Sequence, residues 1–384
     1  MSGERPTDIV LVGGGHAHVH VLAAFGKWRD SDVRVTLIAR DLMTPYSGML
    51  PGVIAGLYTA EQAHIDLEKL AAVTGTRLVH AAASGLDRAG KQVLCDGHPP
   101  VPYDILSLDV GSTPSLDAIL GAREHGMAVK PISEFLAKFE TLRAQCAKPD
   151  GPRRIAVIGG GAGGTELLLS VRTRLRAEAV RDGRDPGAFS FQLVTDGKIL
   201  ATHNTRVRAA FGRVFAECKI ALLENHRVAG LRAGAIDLER GRSLPADATF
   251  IVTQASAPGW FATTGLQRDE GGFIAVGPAL QSLNDPSVFA VGDCAALVET
   301  PREKAGVYAV REGPPLAANL RRLAHGEAPR EWRPQAVHLA LISTGERYAI
   351  ASRGPFKLEG AWLWTVKDWI DRRWMRQYQE IGSA

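Results

Sequence analysis

Two glycine clusters carry the chemistry written most plainly in this chain. Asp8-Ile-Val-Leu-Val runs into Gly13-Gly14-Gly15-His16-Ala17-His18, and Arg154-Ile-Ala-Val-Ile runs into Gly159-Gly160-Gly161-Ala162-Gly163-Gly164. Each is an apolar strand, a glycine turn and a helix-compatible stretch, the setting in which a dinucleotide pyrophosphate meets bare backbone and the positive end of a helix. Any side chain at Gly13, Gly15, Gly159 or Gly161 obstructs that approach. The second copy, Gly159-x-Gly161-x-x-Gly164, is complete, whereas the first has His18 at its third small position. Beyond the second loop the next strand ends near Asp196, suited to accept a bond from the ribose 2′-hydroxyl of NAD, while the neighbouring Lys198 keeps NADP open. The matching strand of the first copy, VTLIA, ends in Ala39-Arg40 without an acid. Arg40 therefore stacks on or bonds the adenine half, or another segment holds the ribose. A further apolar strand, Ser287-Val-Phe-Ala-Val, ends in Gly292-Asp293 and sets a carboxylate at a strand tip.

Other reactive residues form weaker patterns. His16 and His20 are four apart on a helix, a spacing that suits either a metal or packing, and packing or cofactor contact is the expectation; no metal is assigned. The four cysteines, Cys95, Cys146, Cys218 and Cys294, contain no CxxC, so neither a zinc knuckle nor a local redox pair is present. Cys294, beside Asp293, reads as a small buried residue.

The elements that must position these groups fit a chain of 384 residues with 45% hydrophobic content, enough for two or three domains. Charged residues make up 22%, the net charge is +4 and mean hydropathy is −0.04, which excludes a polytopic membrane protein. No Lys/Arg run marks a nucleic-acid surface. The opening MSGERPTDIV lacks a secretory apolar core, and with the cysteine pattern this predicts a cytoplasmic protein. The uncharged stretch Leu42 to Ala60 is broken by Pro45, Gly48, Pro51, Gly52 and Gly56 and reads as a buried loop and short helix. Val33 to Ala39 and Tyr103 to Val110 read as buried strands, Arg77 to Asp96 as a meander, and Ile132 to Cys146 as a helix before the linker Lys148-Pro-Asp-Gly-Pro152. Phe189 to Thr195 and Ala248 to Thr253 supply strands. A helix is expected over Tyr308 to Leu323, then a hairpin over Val337 to Ser352 turning at Gly345, then a tryptophan-rich helix over Gly360 to Tyr378. Trp362, Val366, Trp369 and Ile370 line one side of that last helix, with Lys367, Arg372, Arg373 and Arg376 around it. The stripe suits a peripheral membrane contact, a homodimer contact or plain packing.

Together these segments resemble the flavoproteins with two dinucleotide-binding domains, over nearly the whole chain: GGGHAH at 13–18, YDILSLDVGS at 103–112, GGGAGG at 159–164 and VFAVGDCA at 288–295. The resemblance implies an α/β fold with two Rossmann-like domains of the glutathione-reductase type. Residues 1–115 and 276–330 would form a discontinuous FAD domain and 116–275 an NAD(P) domain with a leading linker helix. Residues 331–384 would add a hairpin and an amphipathic helix. FAD would be held by Gly13, Gly15, His18, Arg40, Ala83, Gly111, Gly292 and Asp293, the last on the ribitol. Val307 and Tyr308 would bring a helix N-terminus to the flavin pyrimidine, where its dipole favours the anionic reduced ring. NAD(P)H would lie on Gly159, Gly161, Gly164 and Asp196.

The branches of this superfamily differ in what takes electrons from the flavin. Disulfide reductases need a CxxC or CxxxxC that this chain lacks, and sulfide:quinone oxidoreductases need two or three cysteines at the flavin. The chain looks like the type II NADH dehydrogenases and the apoptosis-inducing-factor-like oxidoreductases, which implies transfer from FAD to a quinone or similar small acceptor. In the type II enzymes a Glu near nicotinamide and flavin corresponds to Glu166, whose role is electrostatic or proton handling; the alternative is a first-turn acid that complements the helix dipole. Those enzymes carry two glutamines where this chain has Val307 and Arg311, which leaves the acceptor open. Pro45, Tyr46 and Met49 either wall the flavin or belong to the core. TPYSGMLPGVIAGLY at 44–58, KAGVYAVREGPPLAANL at 304–320, LALISTGERYAIASRG at 339–354 and WLWTVKDWIDRRWM at 362–375 are most similar to the oxidoreductase module fused ahead of selenide, water dikinase. That kinship makes a selenium-linked reductase one alternative, and a slow NADH-sensing flavoprotein another.

Overall fold

The computed structural model describes residues 5–253 and 255–381. Its main sheet has eight strands. Five are parallel and lie in the spatial order Asp285–Ala290, Ile105–Leu108, Thr7–Val12, Val33–Ala39 and Arg77–His80, with Ile9 beside both Val35 and Ile105. Ile9, Val10, Leu11 and Val12 are all buried, so both faces of the central strand are covered, as its unbroken apolar run requires. Three short strands, Gln281–Ser282, Ile274–Val276 and Ala295–Leu297, extend one edge. The helix after the first glycine loop, His16–Trp28, packs along the helix Gly306–Ala324. They approach closely at Gly313, where a Cβ would stand 2.7 Å from the Cβ of His20.

A second sheet of five parallel strands runs Gly126–Ala128, Ala248–Ile251, Arg154–Ile158, Ser190–Val194, Ile220–Leu223. Its core includes Phe135 and Phe139 of the helix Ile132–Cys146, which pack on Phe250. The helix after the second glycine loop spans Ala162–Arg181. The structure moves the expected meander. Arg77–His80 is the edge strand of the main sheet, and the antiparallel turn-back is Ala83–Asp87, Gln92–Cys95 and His98–Pro102.

The C-terminal segment is larger than a hairpin. Ala340–Ser343, Ala349–Arg353 and Phe356–Gly360 form a three-stranded antiparallel sheet, followed by the helix Ala361–Gln379. Ile342 and Ile350 join the core of the second sheet, while Met375 and Tyr378 join the core of the first. At about 1.5–3 kcal/mol for each large apolar side chain buried, those four residues bind the segment to the cores of both sheets. The turn at Gly345 (φ +84°) rests on the Leu169 backbone, where a Cβ would come within 2.5 Å of the carbonyl.

Candidate active site

Both glycine loops turn as their motifs demand. Gly13 has φ +94° and Gly159 φ +123°, conformations that L side chains avoid. A Cβ at Gly159 would overlap the Val252 carbonyl, and one at Gly164 the Gly159 carbonyl, so the third glycine is what lets helix and strand close up. Gly161 faces open space. Both helices begin at a glycine without a side-chain cap, Gly15 and Gly161. The early amides of the second helix are therefore open to an anion, whereas in the first helix Asp109 takes those of Ala17 and His18 and leaves that of His16. The residues present fit dinucleotides at both loops.

His18 explains its own departure from the motif. Its Nδ1 lies 2.7 Å from the Gly13 carbonyl, which only accepts, so Nδ1 carries the proton and Nε2 accepts from the Ser107 hydroxyl at 2.8 Å. Burial lowers its pKa to about 4, which keeps this neutral form. A motif glycine has been exchanged for a buried strap between the loop and the strand Ile105–Leu108.

Gly13, Gly15, His18, Gly292 and Asp293 converge on one place. Asp109, at the end of that same strand, accepts the Ala17 and His18 amides at 3.0 and 3.2 Å. A Cβ at Gly15 would overlap its carboxyl, and one at Gly292 would lie 2.7 Å from its Oδ1. Gly292 in turn donates its amide to Glu312 at 2.6 Å. Asp293 accepts from the Lys130 ammonium at 2.6 Å, and Lys130 also donates to Ser112 at 2.8 Å, next to Gly111 (φ +69°). Sequence reasoning missed Asp109, Glu312 and Lys130. The available signal was an acid closing the otherwise uncharged run ILSL.

The other predicted first-unit residues have contacts of their own. Arg40 is exposed and pairs with Asp41 at 2.7 Å, while its carbonyl meets His80 Nε2 at 3.0 Å. Ala83 opens the meander. Val307 and Tyr308 begin the helix whose Gly306 abuts Ser47, and Tyr308 bonds His338 at 3.1 Å. Arg311 is engaged by Gln335. In the second unit Asp196 is exposed just past its strand; Lys198 pairs with Glu224 at 2.8 Å.

Glu166 lies beyond the first turn of its helix, whose cap is Gly161, and the first turn holds no acid. The dipole-complement reading therefore falls. Its carboxylate accepts the Ser343 amide at 2.7 Å, and burial, outweighing the attraction of Lys367, pushes it up to about 7. Lys367 donates to Asp371 and to the Gly48 carbonyl, each at 2.6 Å, and Asp371 also faces the Tyr46 hydroxyl. Tyr46 stacks on Trp374 at 4.3 Å between ring centres, and His16 packs against both rings. His16 is thus an aromatic packing residue held neutral by burial, and His20 meets the Tyr378 hydroxyl at 3.2 Å. Among the described residues no cluster of three His, Cys, Asp or Glu is placed to hold a metal. Met49 is core. Cys294 donates to the Val291 and Leu108 carbonyls, and burial pushes its thiol up to about 12, the state of an inert packing residue.

The side of the last helix that packs is not the one lined by Trp362, Val366, Trp369 and Ile370, so the plain-packing alternative for that stripe falls. Leu363, Lys367, Asp371, Met375 and Tyr378 face inward, whereas Trp362, Trp369 and Ile370 are exposed. No helix among the described residues is long and apolar enough to cross a membrane.

Residues 7–319 match the family described as pyridine nucleotide-disulphide oxidoreductase. The chain belongs to that family. As a member it is an oxidoreductase that uses FAD and a reduced nicotinamide dinucleotide. It is 22% identical over 378 residues to an NADH dehydrogenase-like protein of Bacillus subtilis, YutJ, covering 94% of this chain and 98% of the relative. It is 24% identical to a type II NADH:quinone oxidoreductase of Staphylococcus epidermidis, covering 87% and 86%. NDH2 from Plasmodium falciparum in complex with NADH shares the fold at TM-score 0.82 and 14% identity, with 98% of both chains covered. A sulfide:quinone oxidoreductase from Aquifex aeolicus does so at 0.81 and 18%, covering 98% and 92%. These pyridine nucleotide oxidoreductase folds match the two-unit α/β architecture described above.

Proposed function

We propose that this chain oxidises NADH and passes the electrons through FAD to a small quinone-type acceptor. The likeness over most of its length to type II NADH:quinone oxidoreductase of S. epidermidis carries the reading. The site supports it. FAD, held there, would supply the hydride-accepting and electron-passing chemistry. The loop Gly159–Gly164 would hold the donor's diphosphate, and the first loop with Asp293 that of FAD and its ribitol. Residues 1–115 with 276–330 then serve FAD, and 116–275 serve the nicotinamide. Lys198 is occupied by Glu224 and Asp196 is exposed beside it, which supports NADH over NADPH. Tyr46, His16 and Trp374 exclude water, while Glu166, half-buried and held up at about 7, holds a proton within the same group of side chains as Tyr46, Lys367 and Asp371.

The outward apolar residues of the C-terminal segment, Trp362, Trp369, Ile370, Phe356 and Leu358, support a peripheral seat on the inner face of the membrane, with Arg373 and Arg376 toward anionic headgroups.

The test is an anaerobic mixing experiment on the yellow protein. NADH should bleach it within seconds and NADPH far more slowly, and a short-chain quinone should restore the colour. Reduced protein that ignores quinones but is reoxidised by a selenium compound moves the reading to the selenium-linked reductase. Bleaching over minutes with NADH-dependent self-association moves it to the sensor.

A further inference from the structure

Asp109 is nearly inaccessible, 3% exposed, and its carboxyl occupies two first-turn amides of the helix that the first glycine loop opens. Among the described residues no hydrogen bond engages the amides of Gly14, Gly15 and His16, the ones left for a diphosphate. A second buried acid, Glu312, accepts the amide of Gly292, which abuts the Asp109 carboxyl, and Asp293 completes a group of three carboxyls. Facing them are two ammonium groups. Lys130 is bound to Asp293, and Lys304, which faces Glu312, donates to the Ala295 carbonyl. The other titratable neighbours bring no charge: His16 and His18 are neutral, and Cys294 is a thiol. A diphosphate seated on the loop adds negative charge to a buried site already rich in it, and like charges in such surroundings do not all stay ionised.

We propose that Asp109, with Glu312 as a like-charged neighbour, belongs to the FAD diphosphate site, and that this chain takes up a proton as it takes up FAD. The inference rests on the assignment of the first unit to FAD. The acid keeps its two amide bonds through one oxygen while the other oxygen carries the proton. Burial already holds Asp109 up at about 8 and Glu312 at about 7, before any ligand charge is added. The sign follows: FAD favours the protonated acid, so affinity falls as pH rises through the range in which Asp109 ionises.

The full-length holoprotein, diluted to submicromolar concentration between pH 6 and pH 9, reports released FAD by its fluorescence. The dissociation constant should be flat near pH 6 and rise up to about tenfold per pH unit above neutrality, the slope of one linked proton. Asp109→Asn keeps an acceptor for the Ala17 and His18 amides and should bind FAD with a flat profile. Should Asp109→Asn fail to fold, Glu312→Gln removes the neighbouring charge and should move the onset of the slope to lower pH. A flat wild-type profile overturns the inference, as does an Asn variant with the wild-type slope or an unmoved onset in Glu312→Gln. A chain that holds no FAD at any pH overturns the assignment of the first unit and the inference with it.

Discussion

Lys367→Met removes a cation from among two buried carboxyls. The Lys367 and Asp371 side chains are 11% and 7% exposed, and the ammonium also satisfies the Gly48 carbonyl. Taking away one partner of a buried pair leaves the other uncompensated, at about 3–5 kcal/mol. In a chain of this length about 2 °C of melting temperature follows each kcal/mol, so a fall of roughly 5–10 °C is expected. The loss must depend on pH. Asp371 is held above the ordinary carboxylate range by burial, and Lys367 pulls it back down. Without Lys367 the carboxyl rises further. A carboxyl raised in the folded state destabilises increasingly as pH climbs from its unfolded value toward its folded one. The deficit against wild type should therefore be larger at pH 8 than at pH 5.5. Adding Asp371→Leu removes the orphaned charge and should recover most of the loss, short of about 1 kcal/mol for the Gly48 carbonyl. Differential scanning calorimetry at the two pH values decides. Equal deficits at both, together with a double variant no more stable than the single one, refute the view that the pair acts as a buried charge pair.

Glu166→Gln keeps an acceptor for the Ser343 amide but removes an acid held at about 7. The rate of flavin bleaching by NADH, measured from pH 5.5 to 8.5, should lose an inflection near neutrality and fall by less than about tenfold, since hydride transfer asks the protein for distance and stacking; an unchanged inflection contradicts this. Gly345→Ala places a Cβ against the Leu169 carbonyl at φ +84° and should cost about 1–3 kcal/mol. Its melting temperature should drop by several degrees and the Trp364 and Trp374 emission shift red, and a melting point within a degree of wild type counts against the docking. Replacing Trp362 and Trp369 together by Ser should cut sedimentation with anionic vesicles several-fold without changing NADH-driven bleaching. Unaltered sedimentation, or a dimer that dissociates instead, assigns that face to a partner copy.

What the sequence disclosed was local. Gly13, Gly15, Gly159, Gly161 and Gly164 stand close to the strands they terminate, so spacing alone placed them. Asp293 sits at the tip of its own strand. The features that escaped depend on partners far along the chain. Glu166 was placed after its loop, but its partner, the Ser343 amide, lies 177 residues away, and nothing near Glu166 announces burial. His18 looked like a defect because Ser107, 89 residues on, supplies the second half of its strap. The third C-terminal strand, Phe356–Gly360, follows Gly354-Pro355, a turn signal, and leaves Phe356 and Leu358 exposed, so no buried alternation marked it.

The stripe of the last helix left packing, membrane and dimer contact open, and the structure turns its tryptophans outward. Pattern reading assumes that charges face water, yet Lys367 and Asp371, four apart, lie inward with Tyr46 and Gly48, while Trp362, Trp369 and Ile370 lie outward. The inward charges have a cause, since Lys367 satisfies a loop carbonyl and a carboxylate that no apolar side chain would serve. Of the outward tryptophans, Trp369 lies under the Arg373 guanidinium at 5.3 Å and Trp362 flanks Gly360. Phe356 and Leu358 on the same C-terminal segment are exposed as well. Exposed apolar side chains beside Arg373 and Arg376 stand in water at a cost, which falls when they meet lipid or a partner. If lipid is the neighbour, the helix that seals Tyr46 and Glu166 on its inner face would meet on its outer face the phase in which an apolar quinone dissolves, which joins the acceptor proposal and the membrane proposal through one element.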